Sequence, residues 1–202
     1  MVPLIIALVV ATAALLVVSV RLRTAIAERD AARAAIEFAA THDPLTKLPN
    51  RAVFVRHLDD VLEAGGMGAV LILDIERLPR INDVLGHDAG DEVLSEVADR
   101  LRGSLRADDL VARLSGGELV VLLRTQPDVD VLSIAERLLE LCRVSRPSPL
   151  GVLEVTASVG MVQWDRETPQ AGGAELLRAA ERVMHGEPPA RQASASRALK
   201  CV

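Results

Sequence analysis

The residues best placed to do chemistry gather at one tight turn. Ser115-Gly116-Gly117-Glu118 joins a short apolar run, 110–114, to a second, 119–123. Glycine enters positive φ at no steric cost, so this pattern predicts a β-hairpin. Its tip offers bare backbone N–H groups, which suit phosphate oxygens, beside one carboxylate, Glu118. A plain hairpin turn has the same composition, so the turn alone leaves both readings open. Six residues before Ser115, Asp109 closes an R-x-x-D string, Arg106-Ala107-Asp108-Asp109. The same string is common as a solvated helix end.

The elements that must position these groups follow from periodicity. Residues 50–64 put Val53, Phe54, Leu58, Val61 and Leu62 on one helical side and stop at Gly65-Gly66. Residues 69–75 form an apolar strand closing on Asp74, and 90–105 a helix with Val93, Leu94, Val97 and Leu101 inward. A helix over 129–144, a strand over 153–162 and a helix over 173–184 complete the pattern. The tail, 187–202, is rich in Pro, Ala, Ser and Arg and reads as disordered. This order indicates a mixed sheet flanked by helices.

At 202 residues, half of them apolar, the chain affords one ordinary domain and an appendage. A net charge of −5, 1% aromatics and no Tyr argue against nucleic-acid binding, which wants a basic face and stacking rings. Cys142 and Cys201 lack metal or redox spacing, and Cys142 reads as a buried thiol. Residues 2–20 hold only two polar members, Thr12 and Ser19, and Arg21 and Arg23 follow. That length spans a hydrocarbon core, and the flanking arginines place the following domain in the cytoplasm, at the inner membrane. A signal peptide is the competitor, without a basic n-region or a clear cleavage site. Residues 22–40 form a linker helix whose weak seam (Leu22, Ala25, Ala32, Ile36, Ala39) serves either a homodimeric coiled coil or a single solvated helix. The expected organisation is an anchor at 1–21, a linker at 22–40, a domain at 41–186 and a tail at 187–202.

Three blocks in this order, Asp43-Pro44-Leu45-Thr46-Lys47-Leu48-Pro49-Asn50-Arg51, the run from Leu73 to Asp91, and Arg113 to Leu123, resemble the GGDEF domain of the diguanylate cyclase family. The resemblance runs from about Thr41 to about His185. It implies an α+β fold, an α/β sandwich with a central, mostly antiparallel sheet related to the nucleotidyl cyclase palm. It implies the joining of two GTP molecules into cyclic di-GMP, with Mg2+ or Mn2+ if GTP is bound. Asp74 matches the metal aspartate, with the Ile75 carbonyl beside it and Glu118 as a remaining signature acid. Asn82 and Asp91 match the residues that read guanine, and Ser115 and Gly116 the start of the phosphate turn. An amide with a carboxylate can satisfy guanine's donors and acceptors together, although Asn82 also suits a helix end and Asp91 a helix start. Arg106, Asp109 and Arg137 match the site that holds cyclic di-GMP as an inhibitor.

The departures concentrate on catalysis. Ser115-Gly116-Gly117-Glu118-Leu119 overlies the signature, so Gly117 stands where the family keeps a catalytic, metal-coordinating acid. Glu118 should point to the other side of the strand from residue 117 and replaces it poorly. Pro79 stands at a place where the family often has a phosphate-binding lysine, Leu78 replaces a phenylalanine, and His185-Gly186-Glu187-Pro188 replaces a tyrosine and a basic residue. Removing one preorganised electrostatic group typically costs on the order of 10²–10³ in rate. The sequence therefore predicts a membrane-anchored, degenerate domain without turnover, which binds cyclic di-GMP or GTP and signals to a downstream protein or acts as a scaffold; an active diguanylate cyclase is the alternative.

Overall fold

A computed structural model describes residues 2–126, 129–165, 172–186 and 195–200, with 2–14 and 195–200 described by backbone alone. The chain divides into two compact units, Met1–Ala40 and Thr41–Val202. The first is a single helix, α1 (Val2–Ala39). Its seam residues Leu22, Ala25, Ala32, Ile36 and Ala39 are exposed, and Arg33 pairs with Glu37 one turn on, at 2.8 Å. Most of the expected anchor, 2–20, lies where no side chains are described. Among the described residues no helix is long and apolar enough to cross a membrane.

The second unit is built on β1 (Met67–Glu76), buried on both faces. The other elements are α2 (Arg51–Glu63), α3 (Leu78–Leu85), α4 (His87–Ser104), β2 (Leu110–Ser115), β3 (Glu118–Thr125), α5 (Val131–Leu141), β4 (Val144–Ser148), β5 (Gly151–Trp164), α6 (Gly173–Met184) and β6 (Ala195–Lys200). The sheet order is β2-β3-β1-β5-β4, with β6 also on β5, and every pairing is antiparallel. Strand alternation sorts β1 between two cores. Leu71, Leu73 and Ile75 join Val93, Val97, Leu101 and Leu138 from α4 and α5. Val70 and Ile72 join Phe54, Leu58, Leu177 and Val183 from α2 and α6. Leu71, Ile72 and Leu73 are each 0% exposed, worth roughly 1.5–3 kcal/mol apiece. The result is the expected α+β sandwich.

Local chemistry explains where elements begin and where the sequence reading slips. Asn50 caps α2 by accepting from Val53 N–H at 3.1 Å. The helix expected at 90–105 starts earlier, at His87, and α3 precedes it, short and interrupted by Gly86 at φ 90°. The helix expected at 129–144 ends at Leu141, because Val144–Ser148 pairs with β5 as an edge strand that tolerates Pro147. Part of the tail expected to be disordered, Ala195–Lys200, pairs with Ser158–Gln163 of β5; the rest of the tail lies outside the described residues. Cys142 is buried and free, as expected.

Candidate functional site

Where β1 ends, the β2–β3 hairpin tip and the α3–α4 pair enclose a cavity of about 560 Å³. Asp74, Ile75, Asn82, Asp91, Gly116 and Gly117 all line it, joined by Glu76, Arg77, Pro79 and Arg113. Six of the residues singled out from the sequence thus converge, although they are spread over more than forty positions. Ser115 and Glu118 do not line it. Ser115 Oγ donates to Glu118 Oε2 at 2.8 Å.

Asn82 carries the clearest sign of an absent partner. Among the described residues, its Oδ1 is the buried side-chain polar atom without a hydrogen-bond partner. A buried unpaired oxygen costs about 1–3 kcal/mol, which a donor on a ligand would recover. The helix opposite makes room for it: a Cβ at Gly90 would lie 2.0 Å from Asn82 Oδ1.

Gly117 explains what the cavity lacks. Gly116 turns the hairpin at φ 45°, whereas Gly117 is not in the left-handed region. The fold therefore does not demand glycine at 117. A Cβ there would point at the site, 3.6 Å from Asp74 Oδ1 and 3.2 Å from the Ile75 carbonyl oxygen, with the flexible Leu78 Cδ1 at 3.0 Å. The hairpin is held at this spot by Ile75 N–H donating to the Gly117 carbonyl at 3.0 Å. Glu118 faces Asp74 directly across the β1–β3 ladder. Burial, then the Glu118 and Glu76 carboxylates, push Asp74 above the usual carboxylate range, with His185 pulling the other way.

Asp74 and Ile75 both line the cavity, where an oxygen-seeking divalent cation would meet them. Asp74 and the Ile75 carbonyl supply oxygens, Gly117 supplies none, and Glu118 is held by Ser115. Among the described residues no group of three His, Cys, Asp or Glu is disposed to hold a metal ion.

Arg113, one strand residue before the turn, braces the tip. Its Nη1 donates to Asp43 Oδ1 at 2.8 Å, and its Nε and Nη2 donate to the Gly116 carbonyl at 3.1 and 2.8 Å. Asp43 also accepts from Thr46 N–H and Oγ1, both at 2.8 Å. Burial raises Asp43, but the Thr46 and Arg113 bonds outweigh it and hold the carboxyl below its usual value. Sequence reasoning gave Arg113 and Asp43 no role, because their partnership spans seventy residues. Glu76 and Arg77 were likewise unassigned, their nearness to Asp74 in the chain being the available signal, and His185 was read only as part of a replaced segment.

A second candidate site lies at the open end of the same hairpin. Arg106, Asp109 and Arg137 line one cavity together with Arg124, Thr125 and Val129, and it adjoins a larger one of about 340 Å³ that shares Arg106, Asp109 and Arg124. Asp109 shapes the turn: its Oδ2 accepts from Arg106 N–H at 3.1 Å and its Oδ1 from Arg124 N–H at 3.2 Å. The guanidinium groups of Arg106, Arg124 and Arg137 have no ion pair among the described residues.

Comparison with known proteins bears on both cavities. A family model described as diguanylate cyclase, GGDEF domain, matches residues 40–192. Diguanylate cyclase TpbB of Pseudomonas aeruginosa is 40% identical over 174 residues, 82% of this chain and 39% of that protein. Other curated relatives are longer, and this chain spans 21% of the cyclic di-GMP phosphodiesterase NbdA. A solved structure comprising only the GGDEF domain of TpbB is 39% identical, covering 71% of this chain and 86% of that one, with a TM-score of 0.61. The coiled coil and GGDEF domain of DgcB from Caulobacter crescentus, solved in complex with c-di-GMP, is 25% identical over 84% of this chain and 93% of that one, with a TM-score of 0.59.

Proposed function

The chain belongs to the GGDEF family of diguanylate cyclase domains, and on that premise we propose that it is a signalling member that binds guanine nucleotides without cyclising GTP. The observation that carries this reading is Gly117. The one backbone position aimed at both Asp74 and the Ile75 carbonyl has no side chain there, and the backbone does not require it to be glycine. Catalysis of phosphoryl transfer needs its charged groups placed together, whereas recognition survives the loss of one. Asn82 and Asp91 then hold a guanine edge in the cavity, and Arg106, Asp109 and Arg137 take cyclic di-GMP, which the DgcB structure contains. The signal passes to a downstream protein by contact, with homodimerisation through residues 22–40 and inner-membrane attachment through residues 2–20 as parts of the same proposal. The attachment rests on the apolar run and on Arg21 and Arg23 after it.

The test is to incubate the purified chain with GTP and Mg2+ or Mn2+ and to titrate it with cyclic di-GMP. Saturable cyclic di-GMP binding that depends on Arg106, with no product from GTP, is the expected outcome. Turnover that depends on Asp74 establishes the active cyclase instead. Fractionation of cells expressing the full chain addresses the membrane attachment, which a wholly soluble chain would refute.

A further inference from the structure

The cavity at the hairpin tip is lined by three acidic side chains, Asp74, Glu76 and Asp91, and two basic ones, Arg77 and Arg113. An anionic nucleotide entering it meets net negative charge unless one of the cations is free to receive it. Arg113 is not free, since all three of its donor nitrogens are committed to Asp43 and the Gly116 carbonyl. Arg77 is exposed and its guanidinium has no partner among the described residues. The lysine that would serve here is absent, with Pro79 in its place.

Backbone conformation singles out the same residue. Arg77 caps α3 at φ 65°, and among the described residues only Lys47 shares a positive φ without being glycine. Holding a long side chain in the left-handed region costs on the order of 1–2 kcal/mol, and such strain persists where the surroundings over-determine it. Here α3 begins directly on it, with Ile81 N–H donating to the Arg77 carbonyl at 3.1 Å. Arg77 follows the end of β1 and borders the cavity, and it also borders a neighbouring pocket with Arg80 and Glu154. Arg77 and Asn82 stand five residues apart, roughly 7.5 Å along the helix axis at 1.5 Å per residue. That separation is of the order between a base edge and the phosphates of one nucleotide.

We infer that Arg77 is the phosphate-binding group of this cavity, receiving the phosphates of a guanine nucleotide whose base is read by Asn82 and Asp91. The inference rests on the nucleotide-binding reading above and adds to it the group that discriminates a nucleotide from a nucleoside. Guanidinium suits this task because it stays charged and can grip two phosphate oxygens at once.

Calorimetric titration of the full chain with GTP and with guanosine, without divalent metal, tests it. The wild-type chain should bind GTP more tightly than guanosine. Arg77→Asn, which tolerates the left-handed backbone, should lose about tenfold or more in GTP affinity while guanosine binding is unchanged, and Arg77→Lys should recover part of the loss. An Arg77→Asn chain with unaltered GTP affinity, or with equal losses for GTP and guanosine, overturns the inference. If GTP affinity falls with Asn82→Ala but not with Arg77→Asn, the nucleotide reading survives and only the role of Arg77 fails. If the wild-type chain binds neither compound, both fail.

Discussion

The tip and the open end of the β2–β3 hairpin make an instructive pair. Both border cavities, and both carry residues matching a nucleotide-handling motif. At the open end, the arginines and the aspartate of the R-x-x-D turn and Arg137 are all present and come together. At the tip, Asn82 and Asp91 match the motif, while Gly117 and Pro79 depart from it. A binding site composed of a few groups tolerates rearrangement, whereas a reaction centre depends on every charge being in place. The contrast is therefore the one on which the proposed separation of recognition from turnover rests.

The most direct way to break this contrast is to supply the missing group. Gly117→Asp places a carboxylate beside Asp74 and Ile75, where the Leu78 side chain and the Ile75 carbonyl must each give by a few tenths of an ångström. Cyclic di-GMP formation from GTP and Mg2+, followed by chromatography, should rise by on the order of 10² or more; no change would mean that more than this acid is lacking at the tip. At the other end, Arg106→Ala should weaken cyclic di-GMP binding by about 1.5–3 kcal/mol, the usual worth of a hydrogen bond to a charged group. Equal affinity in a titration would remove the open end from the account.

Smaller effects follow from two carboxylates on either side of the tip. Asp43 is paired and held low, while Asp74 is held high by burial first and then by the acids it faces. Asp43→Asn should cost about 2 kcal/mol at neutral pH in urea unfolding, less than the loss of a fully buried pair because both partners keep some exposure. The stability from a lowered carboxyl is present above its unfolded value of 3.8 and fades as pH falls through the folded value, so the gap to wild type should close on acidification. Asp74→Asn should do the reverse, stabilising the fold by under about 1 kcal/mol, as relief of opposed like charges would. Its effect is present above the raised folded value and vanishes below 3.8. An Asp74→Asn chain less stable than wild type at neutral pH would show that Glu118 does not repel it.

Much of this was legible in the chain. The hairpin, the buried strand ending on Asp74 and helices α2, α4 and α6 follow from period and punctuation, and the cavity gathers six of the residues named from motifs. What escaped notice has a physical cause in each case. Helix α3 is short and framed by Pro79 and Gly86, both breakers, so its apolar spacing is too brief to register. Strand β4 carries Pro147 and survives as an edge strand through pairing with β5.

The sequence by itself determined the residue types at the signature, the loss of an acid at 117 and the presence of the R-x-x-D string, because these are local facts of order and spacing. Only tertiary structure decided that Ser115 donates to Glu118, that Arg113 is taken by Asp43 and Gly116, and that Arg77 is left over. Which partner a charge finds depends on strand register and on loops from distant parts of the chain packing side by side. No periodicity along the chain encodes that.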